Sequence, residues 1–248
     1  MAKVMVITGG SRGIGAATAR LAAREGYRIC IGYQTDDLQA RQTLEQLTAL
    51  GARAIAFKGD ASNEDEVIQM FNRVDNELGP VSVLVNNAAT IAPQSRLEEM
   101  SEFRLLKLMK TNVVGPMLCA KHAIARMSAH HGGVGGSIVN VSSVAARLGS
   151  PNEYVDYASS KGAIDTFTLG LSKELAGEKI RVNAVRPGYI HTEFHALSGD
   201  PQRVTKLEGT LPVGRGGQPE EVAEAILWLA SDLASYVTGT FIDLGGGR

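Results

Sequence analysis

Short apolar segments alternate with longer amphipathic ones along this chain. Seven of the apolar segments are rich in β-branched residues and lack the strict alternation of a half-exposed strand, which is typical of strands covered on both faces. They lie at residues 4–8, 28–33, 53–57, 81–86, 136–142, 180–185 and 240–243. The pattern therefore predicts a parallel sheet of seven strands.

The segments between these strands have the length and periodicity of crossover helices, most clearly at residues 14–25, 37–50, 64–78 and 100–129. Gly26, Gly51 and Gly79 follow three of them, at positions where a helix commonly ends on a residue with positive φ. Because such crossovers are right-handed, we expect an α/β, Rossmann-like, doubly wound sheet with helices on both faces, formed by one domain over residues 1–248. Residues 189–219 are polar and interrupted by Gly and Pro, and we interpret them as a substrate lid.

Charge and cysteine content narrow the class of protein. Lys and Arg number 25 against 26 Asp and Glu, so the formal charge of −1 gives no electrostatic support for a nucleic-acid or anionic-membrane partner. The two cysteines, Cys30 and Cys119, are too few for a disulfide framework, and we expect buried free thiols. The apolar run at the N-terminus is too short for a signal peptide or a membrane span. These features predict a cytoplasmic protein that binds neither nucleic acid nor membranes.

Glycine is abundant, with 28 residues, and part of this excess follows the first strand. That strand runs directly into TGGSRGIG at residues 8–15 and then into an Ala-rich helix. Glycines at such a place allow a tight turn, let the backbone approach a pyrophosphate and let the helix pack closely on the strand. The order of strand, glycine loop and helix predicts a dinucleotide-binding loop, and a glycine turn without a ligand is the alternative.

Several polar segments lie where strands of the predicted sheet end. Residues 9–15, 86–88, 142–143 and 187–188 all follow strands, and ligands of doubly wound sheets bind beyond the carboxyl ends of the strands. Further along, Tyr157 and Lys161 are four residues apart in a helical segment and so share a helix face. We expect the Lys161 ammonium to lower the pKa of Tyr157 and make it a proton donor and acceptor. The alternative is that Tyr157 and Lys161 are an ordinary exposed pair on a helix. The hydroxyl partner of Tyr157 would be either Ser142 or Ser143, since successive side chains of a strand point to opposite faces and only one can face the site.

Five motifs together resemble the short-chain dehydrogenase/reductase family: TGGSRGIG, NNAA at 86–89, YASSK at 157–161, RPG at 186–188 and YVTG at 236–239. The resemblance covers the whole chain. It implies a catalytic set in which Asn112 of the KTN segment holds a water that leads to the lysine, and in which Ser143 is the active serine of the VSS segment. The implied catalytic residues are Asn112, Ser143, Tyr157 and Lys161. Ser143 stands one residue farther from Tyr157 than is common in the family, which indicates an insertion within residues 150–156.

The resemblance also implies a set of cofactor contacts. Asp60 would contact the adenine, Asn87 and Ala88 would line the adenosine side, and Ile190 and Thr192 would lie at the nicotinamide carboxamide. The complete set is Gly9, Ser11, Arg12, Gly13, Ile14, Gly15, Asp60, Ala61, Asn87, Ala88, Tyr157, Lys161, Pro187, Gly188, Ile190 and Thr192.

Charge near the adenosine ribose decides between NAD(H) and NADP(H). The segment at the end of the second strand, residues 31–35, has no acid to engage a 2′-hydroxyl, and Arg12 could pair with a 2′-phosphate. The sequence therefore favours NADP(H). NAD(H) stays an alternative, because Asp36 and Asp37 follow closely.

Together these features predict an oxidoreductase that interconverts a secondary alcohol and a ketone or aldehyde, with Tyr157 as the acid and base. A dinucleotide-binding regulatory protein without turnover is the rival, and sugar and acyl-chain carbonyl substrates both stay open. By resemblance, residues 217–223 and the C-terminal strand would pack in a homotetramer. No metal is expected, because the glutamate of HTEFH at 191–195 lies at i+2 rather than the i+1 of a zinc-binding helix.

Overall fold

A computed structural model describes residues 2–248 and contains the predicted parallel sheet. Its strands, all parallel, are β1 (Val4–Thr8), β2 (Arg28–Tyr33), β3 (Ala54–Lys58), β4 (Val83–Asn86), β5 (Gly136–Val141), β6 (Ile180–Pro187) and β7 (Phe241–Leu244), in the order β3-β2-β1-β4-β5-β6-β7. The order reverses between β1 and β4, which is the switch point where a crevice opens in doubly wound sheets. The expected fold class and strand positions are thereby confirmed, with shifts of one or two residues at strand ends.

The helices are α1 (Gly13–Arg24), α2 (Asp37–Ala49), α3 (Glu64–Glu77), α4 (Glu102–Met109), α5 (Gly115–Met127), α6 (Ala145–Leu148), α7 (Val155–Leu175), α8 (Arg203–Leu207) and α9 (Pro219–Ala230). Apolar residues of α1, α2 and α9 pack on one face of the sheet, and those of α3, α5 and α7 on the other. Gly26, Gly51 and Gly79 have positive φ just beyond α1, α2 and α3, as predicted. Both cysteines are buried and free.

The long helix expected over residues 100–129 is interrupted, and this expectation was wrong. Lys110–Val114 forms a π-helical turn between α4 and α5, in which the Gly115 amide donates to the Lys110 carbonyl. Pro116 follows immediately, and proline lacks an amide donor and clashes with the carbonyl four residues earlier. The wider turn avoids that clash and places Asn112 inside the protein.

None of the helices within residues 2–248 combines the length and apolar character needed to cross a bilayer.

Candidate active site

A cleft of about 1160 Å³ runs along the carboxyl ends of β1 to β6. It is lined by the glycine loop after β1, the first turns of α7 and the segment after β6. A cleft at the switch point of a parallel sheet is where this architecture binds ligands. The sheet therefore brings together side chains that are distant in sequence.

Close packing fixes the glycine loop at the end of β1. Gly9 has φ of +63°, and a Cβ on Gly15 would lie 2.2 Å from the Gly9 carbonyl oxygen, so no other residue fits at position 15 without a shift of the backbone. The Asn87 amide donates to the carbonyls of Thr8 and Gly9, at 3.0 and 2.9 Å. The loop is therefore held both by steric contact and by a side chain from the neighbouring strand end.

Helix α1 begins at this loop without a capping side chain and with no acidic residue in its first turn. Its first amides therefore lack side-chain acceptors, and the positive end of the helix dipole faces the cleft. This arrangement suits the pyrophosphate of a dinucleotide, which supplies the missing acceptors.

Tyr157 and Lys161 both face the cleft from α7, one helical turn apart. The Lys161 ammonium donates to the Val141 carbonyl at 2.7 Å and lies 5.6 Å from the centre of the Tyr157 ring. Ser143 lines the same cleft, two residues after the end of β5, and its hydroxyl is near enough to lower the pKa of the Tyr157 phenol in part. The three side chains thus form one cluster.

The expected lowering of the Tyr157 pKa does not occur in this structure. Burial raises the pKa of Tyr157 to about 12, and the interaction with Ser143 opposes only part of the rise. The expectation failed because desolvation of the phenolate outweighs an ammonium whose nearest acceptor is the Val141 carbonyl. Tyr157 is accordingly a protonated phenol at neutral pH, which is the form that donates a proton.

Burial acts on Lys161 in the opposite sense. It lowers the pKa of Lys161 to about 8, and the nearby Asp165 carboxylate raises it in part. Asp165 accepts a hydrogen bond from Ser142 at 2.6 Å and pairs with Arg186 at 2.9 Å. Ser142 therefore belongs to a network beneath the site, while Ser143 lies beside Tyr157, and the structure separates the two serines that residue spacing alone left equivalent.

Asn112 lies behind this cluster, in the π-helical turn. It is 1% exposed, its amide nitrogen donates to the Thr90 carbonyl and to Ser160, and its amide oxygen accepts from the Thr90 backbone at 2.7 Å. Asn112 does not line the cleft, but it borders the same narrow gap between packed side chains as Lys161. Its side chain therefore ties the segment after β4 to α7.

The two carboxylates that follow β2, those of Asp36 and Asp37, both accept hydrogen bonds from other groups of the protein. Asp36 caps α2 by accepting from the Gln39 amide at 3.0 Å. Asp37 accepts from Lys58 at 2.7 Å and from Tyr33 at 2.9 Å, and these two hydrogen bonds keep the pKa of that carboxyl below its ordinary value. Arg12, in the glycine loop, is partly exposed and is 3.4 Å from Glu193.

The far wall of the cleft is formed by side chains that the sequence analysis did not single out, most of them within the predicted substrate lid at residues 189–219. They come from the segment before α7, the segment after β6 and α8, and include Leu148, Glu153, Tyr154, Tyr189, Phe194, His195, Leu197, Arg203 and Leu207. The Phe194 ring lies 5.9 Å from that of Tyr157. The apparent insertion before α7 contains Ser150 and Asn152, both with positive φ, and it carries Glu153 and Tyr154 to the cleft.

Of the residues predicted from sequence, all except Gly15 and Asn112 line this one cleft. Thr8 was missed: its hydroxyl accepts from the amides of Asn87 and Ala88 at 3.1 and 3.0 Å and joins β1 to β4. Its place directly before the glycine loop was the available signal. No cluster of three or more metal-ligating side chains occurs within residues 2–248.

Known proteins are similar to this chain over nearly its whole length. The family described as enoyl-(acyl carrier protein) reductase matches residues 9–248. An oxidoreductase of Escherichia coli (strain K12), YgfF, is 52% identical over 99% of both chains, and the cis-4-hydroxycyclohexanecarboxylate dehydrogenase of Sinomonas cyclohexanicum is 38% identical over 99% of this chain and 96% of that one. The crystal structure of a short-chain dehydrogenase/reductase from Mycobacterium marinum superposes with a TM-score of 0.92 at 32% identity, covering 99% of this chain and 94% of that one.

The chain is therefore an oxidoreductase that belongs to the short-chain dehydrogenase/reductase family. Members of this family use NAD(H) or NADP(H).

Proposed function

We propose that this protein is an NADP(H)-dependent oxidoreductase that interconverts a secondary alcohol and a ketone or aldehyde. In this proposal residues 1–248 act as one dinucleotide-binding domain in the cytoplasm, and residues 189–219 form a lid over the substrate. The observation that carries the proposal is the cluster of Ser143, Tyr157 and Lys161 on the cleft wall that faces the glycine loop. The relative named for a cyclic secondary alcohol supports the reaction class.

Each side chain of the cluster has a separate task. Tyr157, protonated at neutral pH, donates its proton to the substrate oxygen in the reducing direction and takes it back in the oxidising direction. Ser143 donates a hydrogen bond to the same oxygen and holds it beside the phenol. The Lys161 ammonium stabilises negative charge on the phenol oxygen while the proton is in transfer. Asn112 positions α7 through Ser160.

The cleft fits a nicotinamide dinucleotide. The closely packed glycine loop lines the cleft through Gly9 and Gly13, which have no side chains, and the uncapped start of α1 offers amide donors to a pyrophosphate. Asp60, Ala61, Asn87 and Ala88 would hold the adenosine part, and Lys161, Pro187, Gly188, Ile190 and Thr192 the nicotinamide part. When bound, the dinucleotide supplies or accepts the hydride.

Three features support NADP(H) over NAD(H). Asp36 accepts from the first turn of α2 and Asp37 is paired with Lys58, so both carboxylates already have partners in place of the ribose 2′-hydroxyl of NAD(H). Arg12 lies in the glycine loop with only a long contact to Glu193, and it can turn toward that phosphate.

We also propose a homotetramer. Phe103, Leu106, Met109, Val114 and Met117 on α4, α5 and the turn between them are exposed, and so are Trp228, Leu233 and Tyr236 near the C-terminal strand. Two such apolar surfaces suit packing between copies. Light scattering on the purified protein in solution measures its mass, which we expect to be four times that of one chain.

A substrate panel with both cofactors tests the proposed activity. We expect ketones and aldehydes to oxidise NADPH, detected by the loss of nicotinamide absorbance, with NADH used less efficiently. A silent regulatory protein would be stabilised thermally by NADPH yet would turn over no member of the panel. That outcome would overturn the proposal, and a preference for NADH would overturn its cofactor part.

A further inference from the structure

The substrate wall of the cleft holds a buried cation that the catalytic cluster does not use. Arg203 begins α8, lines the cleft and is only 7% exposed. A guanidinium is rarely buried without partners that offset the loss of hydration. The contacts of Arg203 therefore indicate which kind of ligand group would bind beside it.

Two aromatic rings flank the guanidinium of Arg203. Its central carbon lies 5.1 Å from the centre of the Tyr154 ring and 5.6 Å from that of Tyr189. Such cation–π contacts stabilise the charged form of the guanidinium. Tyr154 directly precedes α7, three residues before Tyr157, and the guanidinium of Arg203 lines the same cleft as the catalytic phenol.

The polar contacts of Arg203 are incomplete. Among residues 2–248 its side chain donates one hydrogen bond, from Nη2 to the Glu153 carboxylate at 2.5 Å, although a guanidinium has five N–H donors. Glu153 is itself partly exposed and also accepts from Gln94 at 3.2 Å. Because Glu153 accepts from only one of these donors and is itself near solvent, other N–H donors of the buried Arg203 guanidinium remain available to a ligand.

A second cation lies near one of these two rings. A second guanidinium, that of Arg248, lies 5.1 Å from the Tyr189 ring. His195 contributes no compensating group, because burial and the nearby Arg203 keep its pKa below the ordinary value. The same wall also carries apolar side chains, those of Leu148, Leu197 and Leu207.

From this arrangement we infer that the substrate carries a carboxylate, which Arg203 binds while the alcohol or ketone carbon lies at Tyr157. Arg203 is thus a specificity-determining residue, and the apolar side chains hold the carbon skeleton between the two polar ends. A planar carboxylate matches the fork of donors on a guanidinium held between two rings. This inference rests on the proposed oxidoreductase activity.

A purely structural role for the same residues makes a different prediction. If the Arg203 to Glu153 ion pair only fastens α8 to the segment before α7, its loss would weaken charged and neutral substrates equally. If Arg203 recognises a carboxylate, its loss would affect the charged substrate alone. A comparison of matched substrates separates these roles.

The experiment uses 4-oxocyclohexanecarboxylate and its methyl ester, in which a small methyl group replaces the negative charge. For the wild-type protein with NADPH we expect kcat/KM for the acid to exceed that for the ester by at least about tenfold, the usual value of a charge-assisted hydrogen bond. Arg203→Gln should bring the ratio to about one, mainly through KM for the acid. Glu153→Gln should keep or raise the ratio, because it removes the competing carboxylate. Lys206→Gln, on the same helix and exposed, is the matched control and should leave the ratio unchanged.

A binding measurement makes failure of the inference distinguishable from failure of the proposed activity. Cyclohexanecarboxylate and its methyl ester are titrated calorimetrically into the NADP⁺-saturated wild type and Arg203→Gln protein. If the wild type binds the acid selectively and Arg203→Gln abolishes this selectivity, the inference is supported even when no substrate turns over. In that case only the proposed oxidoreductase activity fails. Equal use and equal binding of acid and ester by the wild type, or a ratio that Arg203→Gln leaves intact, overturns the inference.

Discussion

The two ends of the cleft are built in different ways. At the cofactor end the backbone itself forms the surface, and the glycine loop is fixed by the contact between Gly15 and Gly9 and by the Asn87 amide. At the substrate end side chains form the surface, carried on 3-10 turns, on the five-residue helix α8 and on the segment before α7. Tyr157 and Lys161 lie between the two ends on one long helix.

The cofactor end serves the part of the reaction that is the same for every substrate, and the substrate end determines which substrate is used. A dinucleotide has a constant shape, so a rigid backbone cradle suits it, and substitution there is sterically costly. A substrate surface made of side chains on short connections changes with single substitutions. We therefore expect changes at the cofactor end and at the catalytic helix to abolish function, and changes at the substrate end to redirect it.

The largest effect should come from the residue where the two ends meet. Lys161→Met removes the buried ammonium beside Tyr157, and we expect kcat to fall at least about 100-fold, the range typical of a lost proton-transfer partner. Lys173→Met, on an exposed position of the same helix, is the matched control and should keep wild-type kcat. Steady-state rates measure both, and a Lys161→Met protein with more than a tenth of the wild-type rate would remove Lys161 from the mechanism.

A smaller effect is expected from Gly15→Ala at the cofactor end. The new Cβ meets the Gly9 carbonyl and the Asn87 amide, at 2.2 and 2.7 Å, so the loop must move at a cost of about 1–3 kcal/mol. NADPH affinity, measured by fluorescence titration, should fall about tenfold or more. Gly170→Ala is the control: it lies in α7 with open space around it and should raise unfolding stability by about 0.5–1 kcal/mol. Unchanged NADPH binding by Gly15→Ala would show that the cradle is not rigid.

The smallest effect concerns pH. Ketone reduction needs protonated Lys161, whose pKa of about 8 sets an alkaline fall in kcat above that pH, whereas Tyr157 keeps its proton until about 12. Asp165→Asn removes a carboxylate that raises the Lys161 pKa, so the fall should move to lower pH. Glu174→Gln, exposed farther along α7, should leave the profile unmoved. A fall that stays in place or moves to higher pH in Asp165→Asn would contradict this electrostatic account.

The cofactor end was predictable from sequence because glycine at fixed positions is a backbone requirement. Glycine in the loop of residues 8–15 and after α1, α2 and α3 indicates a backbone conformation that other residues adopt only at a cost in free energy. Strands buried on both faces have a similarly strong signal, and their positions were correct to within two residues.

The remaining features depend on tertiary neighbours. The π-helical turn at Lys110–Val114 interrupts a segment whose periodicity reads as one helix. The pKa of Tyr157 moved opposite to expectation, because spacing gives the distance to Lys161 but not the burial of the phenol. Arg203 has no recognisable motif around it, and only the fold brings it between Tyr154 and Tyr189.

The central claim, that Tyr157 is the acid and base of a nicotinamide-dependent reaction in this cleft, is tested most directly by Tyr157→Phe. NADPH binding and carbonyl-dependent NADPH oxidation are measured on the same preparation of this variant and of the wild type. The account predicts a dissociation constant for NADPH within about threefold of the wild type and a rate at least about 100-fold lower, since only the proton donor is lost. A variant that binds NADPH normally and keeps most of its rate would contradict the account.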